Sequence, residues 1–476
     1  MEDISITELF LILAAVLSAI ILFYADQKIF YHHVALFQKK IQNILSTHDL
    51  PIFFSSYWAK YTILKRLSGS KKRRLSALYY AAVKDPIRTT KLVSYNLKKS
   101  PQNKPLLLLS AELDLLADKY QRADHTLDLI KNPSWLIPSL KAKYLLLKAK
   151  CELYQTDMQS AAAHTARALK FYQKQTTKFF IKKTNLYKFE QAESMQTLAQ
   201  IYRISGLSDA AFNLFLDAQK IYQTINLPAK IIETNAYLGL LEITQKDFDL
   251  AHQYLQSAHH DSLQFQFTKT TANINNWLGQ LYYLKEDIDN AQNHFLSVLE
   301  TSQNANTLAF AAEMLARIYL KRKDDADALK YSEQALDYHT TAENTAGMFE
   351  SLYLRAQIYY NRQAYNKSRQ ILTELIKNYR TSSAIYYPAN AYTLLGLIEF
   401  KQNNLNRAQT LFKQALDLEH GQNRLKGAIA DYNNLAEIAF RQGIKTEAEN
   451  YLNQALQYAT EIEDDELIAY IKSKLQ

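Results

Sequence analysis

The sequence predicts an all-α protein in which a single N-terminal transmembrane helix leads into an α-solenoid. Three observations carry that expectation. Glycine and proline number only 9 and 8 in 476 residues, against usual shares of about 7% and 5%. Sheets and loop-rich domains need those residues at their turns, so the chain reads as long helices with short connections. An uncharged apolar run fills residues 9–25, and small residues then recur along the rest of the chain, most often 40 residues apart. Hydrophobic residues make up 48% of the chain and aromatic ones 12%, too much apolar surface for disorder. One cysteine, Cys151, excludes an intramolecular disulfide and any multi-cysteine metal site.

Residues 1–25 read as the transmembrane signal-anchor. Leu9 to Ala25 carries no charge, and counting back to Ile4 gives 22 residues. At about 1.5 Å per residue that is roughly 33 Å, enough to cross a hydrocarbon core of about 30 Å. A buried core helix would show a polar face over such a length. A cleaved signal peptide would start with basic residues, whereas this chain starts with Glu2, Asp3 and Glu8 and has no Lys or Arg before Lys28. Residues 1–25 therefore carry −3, while residues 26–104 hold 16 Lys and Arg against Asp26, Asp49 and Asp85. The positive-inside rule then places the N-terminus outside and the long C-terminal part in the cytoplasm, at the inner membrane of a bacterium.

Residues 26–74 read as a basic amphipathic segment next to the membrane. Phe30, Val34, Phe37, Ile41 and Leu45 recur at helical spacing until Asp49-Leu50-Pro51 breaks the pattern. Lys60, Lys65 and Arg66 then stand among Phe53, Phe54, Tyr57 and Trp58, and Lys71, Lys72, Arg73 and Arg74 follow. Basic side chains beside interfacial aromatics suit an anionic lipid surface, at about 1 kcal/mol per charge. The alternative is a solvated face over a helical pair packed on the next domain. The basic excess behind the overall +9 lies within residues 26–104, and the rest of the chain is nearly neutral or acidic, so it does not call for nucleic acid.

From residue 75 onward the chain has an internal period. Small residues stand at Ala77, Ala111, Ala149, Ala199, Gly239, Gly279, Ala316, Ala356, Gly396 and Ala436. Twelve residues after each comes another mostly small residue, such as Ala211, Ala251, Ala291 and Ala408, and a large apolar one follows at Phe215, Leu255, Phe295 and Phe412. Each unit reads as two antiparallel helices that cross at the small sites. Such pairs cannot bury their apolar faces alone, so they stack into a solenoid. Residues 191–460 hold seven units, residues 75–190 hold divergent ones, and 461–476 reads as a capping helix with acids at its start.

Leu198-Ala199, Tyr202, Ala211, Phe215 and Ala218, and again Leu278-Gly279, Tyr282, Ala291 and Phe295, resemble the tetratricopeptide repeat (TPR) family. The resemblance implies a TPR superhelix. Its period, longer than the usual 34 residues, is similar to the TPR subtypes of peptide-sensing regulators and kinesin light chains. Thr89 and Asn96 stand where the family has Ala, so the units before residue 190 are TPR-like only.

Enzyme signals are missing from the sequence. There is no glycine-rich phosphate loop, and the pairs His32-His33 and His259-His260 have no carboxylate or cysteine at ligand spacing. Cys151 reads as packing, and the acidic run 463–466 reads as a helix start. No enzyme, metal or cofactor is expected.

In TPR proteins, exposed positions on the first helix of each unit line a concave groove. The position four past the small site reads Ile243, Tyr283, Leu320, Tyr360, Phe400 and Phe440, flanked by Asn276, Arg317 and Tyr353. The row either packs between repeats or binds a protein or peptide partner whose backbone the amides and cations hold. The resemblance favours a membrane-anchored TPR scaffold or adaptor, similar in layout to anchored adaptors of envelope biogenesis but without their C-terminal Cys pairs. A peptide-sensing TPR signalling regulator is the alternative, although no stretch reads as a DNA-binding or kinase domain. An import receptor would want a carboxylate clamp, which the sequence does not present.

Overall fold

The computed structural model describes residues 90, 93–95, 97–98 and 100–475, except 156, 177–183, 380–386 and 422–423. The expected anchor (1–25) and the basic residues Lys60, Lys65, Arg66, Lys71, Lys72, Arg73 and Arg74 lie outside the described residues. The localisation read from the sequence is corrected. No helix among the described residues is long and apolar enough to cross a membrane, so a single-pass inner-membrane placement with the repeats on the cytoplasmic side is not carried forward.

The described chain is helical throughout. Its α-helices are α1 (Lys104–Leu116), α2 (Tyr120–Asp128), α3 (Pro138–Tyr154), α4 (Met158–Thr176), α5 (Thr184–Ile204), α6 (Ser208–Thr224), α7 (Pro228–Gln245), α8 (Phe248–Gln264), α9 (Thr268–Leu284) and α10 (Ile288–Thr301). They continue as α11 (Ala305–Lys321), α12 (Asp325–Thr341), α13 (Thr345–Asn361), α14 (Tyr365–Tyr379), α15 (Tyr387–Lys401), α16 (Leu405–Gly421), α17 (Leu425–Arg441), α18 (Lys445–Glu461) and α19 (Asp465–Leu475). A 3-10 turn at Pro133–Trp135 separates α2 from α3.

Odd and even helices pair into the units that the small residues mark. Gly239, Gly279 and Gly396 sit where the second helix crosses the first. A Cβ there would lie 2.7 Å from Leu255, 2.8 Å from the Phe295 ring and 2.6 Å from the Phe412 ring. Phe215, Leu255, Phe295, Leu372, Phe412 and Leu452 are all fully buried, each worth about 2 to 3 kcal/mol of burial.

The turns inside the units follow one plan. The backbone N–H of Asp247, Asp287 and Asp324 reaches back to the carbonyls of Glu242, Tyr282 and Tyr319, at 3.0, 2.9 and 2.9 Å. The residue before each, Lys246, Glu286 or Lys323, is left-handed, with φ of 64°, 63° and 62°. This is the hydrogen-bonded helix stop that glycine usually serves. The same aspartates then cap α8, α10 and α12 through their side chains, accepting from Leu250, Asn290 and Asp327 N–H, which satisfies donors the helix cannot.

Every odd helix from α1 to α15 touches the odd helix of the next unit, whereas no pair of neighbouring even helices packs comparably among the described residues. The layer whose members approach more closely is the inside of a curved stack. The odd helices therefore form the concave layer and the even helices the convex one. Helix α19 packs on α18, burying Ile471 with Leu467, Ile468 and Leu475 partly covered.

Candidate partner-binding groove

The groove row lies along the seams between successive odd helices, and its exposure grows toward the C-terminus. Ile243 is buried in the core around α7 to α9. Tyr283 and Leu320 are half-buried against the next core cluster, and Tyr360 packs near Tyr365 with ring centroids 5.8 Å apart. Phe400 is half-buried, and Phe440 is exposed at 39%. The following unit leans a cation over two of these rings. Lys321 Nζ sits 5.8 Å from the Tyr283 centroid, and the Arg441 guanidinium 3.9 Å from that of Phe400. Such contacts contribute about 0.5–1 kcal/mol at exposed sites, and they turn the seam into alternating rings and positive charges.

The flanking residues serve different ends. Asn276 is buried, and its Nδ2 donates to the Thr307 carbonyl at 2.9 Å, which ties α9 to α11. Arg317 is paired with Glu350 on α13 at 3.3 Å. Tyr353 is half-buried, and burial pushes its phenol up, with Gln357 and Arg317 opposing. Asn276 and Arg317 are thus engaged between units, while Tyr283, Tyr360, Phe400 and Phe440 keep part of their surface accessible.

The sequence reading missed a set of buried charges on the inner layer. Lys143 on α3 donates to Glu112 on α1 at 2.8 Å and to Glu190 on α5 at 3.4 Å. Glu193 on α5 receives Lys150 from one side and Lys230 of α7 from the other, each at 2.7 Å, and the Tyr222 hydroxyl donates to it at 2.9 Å. Burial pushes the Glu193 carboxyl up, but the two lysines outweigh it and hold it well below the ordinary range. Glu190, with Lys143 as its close cation, is pushed up to about 7 by burial. A sequence signal existed: Glu193 and Lys230 fall on inner helices at positions where a solvated face would have no partner one unit away.

Asp431 on α17 is a second such group. It is 1% exposed, accepts from the Thr393 hydroxyl of α15 at 2.9 Å, and is pushed up to about 7, chiefly by burial. A carboxyl raised by folding contributes stability that is fully present below its unfolded range and lost as pH rises through the folded value. Asp431→Asn should therefore raise stability by about 1–3 kcal/mol at pH 8 and by nothing measurable at pH 4. Thermal melts of both proteins at the two pH values check this; an equal effect at both would show that the charge is not the cause.

Cys151 is fully buried, and its thiol is pushed up to about 12, foremost by burial, so it packs as a small apolar side chain. His259 lies edge-on to His294, which burial lowers to about 4. Among the described residues no group of three His, Cys, Asp or Glu side chains is placed to hold a metal.

These features define a helical-repeat solenoid with an amphipathic inner face. Tetratricopeptide repeat family profiles match residues 270–340 and 389–419, so these segments are tetratricopeptide repeats. No curated protein matches the sequence. Among solved structures, the fold is similar to the apo quorum sensor NprR from B. thuringiensis. The TM-score is 0.52 at 13% identity, over 76% of this chain and 99% of that one. It is also similar to a Rap protein complexed with Competence and Sporulation Factor, with TM-score 0.50 at 15% identity over 79% and 98%. Yeast Tom70 aligns at TM-score 0.48 and 15% identity, over 84% and 87%.

Proposed function

We propose that the chain is a protein-interaction solenoid that holds an extended or helical peptide segment of a partner along its concave layer. The observation that supports this most is the graded row Tyr283, Leu320, Tyr360, Phe400 and Phe440. It keeps apolar surface open on the inner helices, with Lys321 and Arg441 set beside the rings. An extended peptide fits such a strip because its alternate side chains meet rings while the cations face its carbonyls and acids. Fold likeness to a Rap protein solved with Competence and Sporulation Factor supports the same reading. Within it, Ile243 and Asn276 shape the floor, Arg317 and Tyr353 its wall, and the later aromatics make contact.

Selection of a displayed peptide library on the protein tests the proposal. Selected peptides should carry aromatic or aliphatic residues together with acids. Tyr360→Ala/Phe440→Ala should weaken their binding at least tenfold, about 1.4 kcal/mol or more, with helicity unchanged. No enrichment, or equal binding by the variant, would reject it.

A further inference from the structure

The turn between α1 and α2 reaches units that lie far along the chain. Residues 116–121, joining α1 to α2, meet the starts of α9, α11 and α13. Lys269 Nζ donates to the Leu116 carbonyl at 3.1 Å and lies 3.6 Å from the Asp118 carboxylate. The Asn304 side-chain amide also donates to that carboxylate, and Asn306 Nδ2 donates to the Asp118 carbonyl at 3.1 Å. Gln121 Nε2 donates to Thr345 Oγ1 at 3.0 Å, and Lys119 lies 3.9 Å from Glu343. These contacts span 153 to 224 positions of sequence, whereas solenoid units otherwise touch only their neighbours.

The chemistry of the receiving side is specific. One ammonium from the start of α9 and two amides from the start of α11 converge on one carboxylate and two main-chain carbonyls, and a hydroxyl at the start of α13 receives an amide beside them. Asn304 is itself fixed as the N-cap of α11, its Oδ1 accepting from Thr307 N–H. Asn306 accepts from Asn344, the N-cap of α13. The two asparagine donors are therefore held in place by helix caps rather than by the turn they grip. Asp118 is left-handed, at φ 55°, a conformation aspartate tolerates better than most residues; its carboxylate meets the starts of α9 and α11 and its carbonyl that of α11.

We propose that Lys269, Asn304, Asn306 and Thr345 form a binding site for a short peptide turn bearing one carboxylate. The chain fills this site with its own residues 116–121, and a partner segment of the same chemistry opens the superhelix by displacing them. The inference does not rest on the groove row, whose residues take no part in these contacts.

Two variants break the contact from opposite sides. Asp118→Gly removes the carboxylate and suits the positive φ, and Lys269→Ala/Asn306→Ala removes two donors while leaving the N-cap bonds of Asn304 and Asn344 to Thr307 and Gly347 in place. Spin labels on His125→Cys and Thr341→Cys report the separation, since the natural Cys151 is buried. The wild type should give one narrow distance distribution. Both variants should give broader, longer ones at unchanged far-ultraviolet circular dichroism; unchanged distributions in both would overturn the latch. A labelled synthetic peptide of residues 113–122 should bind Asp118→Gly at least tenfold tighter than wild type, because the wild-type site is already occupied. It should also bind Asp118→Gly at least tenfold tighter than Asp118→Gly combined with Lys269→Ala/Asn306→Ala. Equal binding in either comparison, or none to Asp118→Gly, would overturn the site.

Discussion

Replacing Glu193 by Gln should destabilise the N-terminal units by about 3 kcal/mol or more. Removing one partner of a buried ion pair leaves the other charge desolvated and unanswered, which typically costs 3–5 kcal/mol. Lys230 is the weak point: its side chain is only 7% accessible, and only Glu233, at 2.8 Å, would remain to balance it. Tyr222, fully buried, would also lose a charged acceptor. The loss should be local, because Glu193 joins α5 to α3 and α7 and to nothing further along. Hydrogen exchange should thus show α3 to α7 opening while α15 to α18 keep their protection. Because folding lowers the carboxyl, its stabilisation is complete above the ordinary glutamate value of 4.5 and declines as pH falls below it. A denaturant midpoint within experimental scatter of wild type would show that the lysines are satisfied elsewhere.

Gly347→Ala should cost about 2–3 kcal/mol, more than glycine-to-alanine changes in helices usually do, and of opposite sign to the propensity gain. A Cβ at this position on α13 would lie 2.2 Å from the imidazole of His339 at the end of α12. That ring cannot easily yield. It is 5% exposed, accepts from Asn344 Nδ2 at 3.1 Å, and faces the Glu313 carboxylate at 3.4 Å. Shortening the ring should remove the clash, so Gly347→Ala/His339→Ala should be more stable than the sum of its single changes by about 1–2 kcal/mol. Strict additivity in urea melts would refute the steric account.

The contrast between these two sites shows what the sequence made legible. Gly239, Gly279 and Gly396 stand out because they share a register, and the backbone crossing they permit repeats in each unit. Gly347 falls outside that register and answers to one particular histidine, so no periodicity announces it. The turn residues were hidden for another reason. Lys246, Glu286, Lys323 and Gln363 occupy left-handed positions that glycine would have advertised, while among the described residues only Gly206 and Gly443 do so. The aromatic row was visible as a pattern, but its gradient from buried Ile243 to exposed Phe440 depends on how tightly each seam closes. Nothing in residues 116–121 hinted at contacts with residues 269–345, because such pairs meet only once the stack has curved.

That last contact changes how the molecule should respond to force. A free solenoid behaves as a spring whose coils separate under slight tension, with the strain shared among all units. Here the first described coil is bolted to a later one, from Leu116 to Thr345, so the pitch of that stretch is fixed while the bolts hold. Compliance is left to the units beyond Thr345. Those units carry Phe400 and Phe440, so on the proposed reading the end of the row with the most open apolar surface is also the part free to adjust its width around a guest.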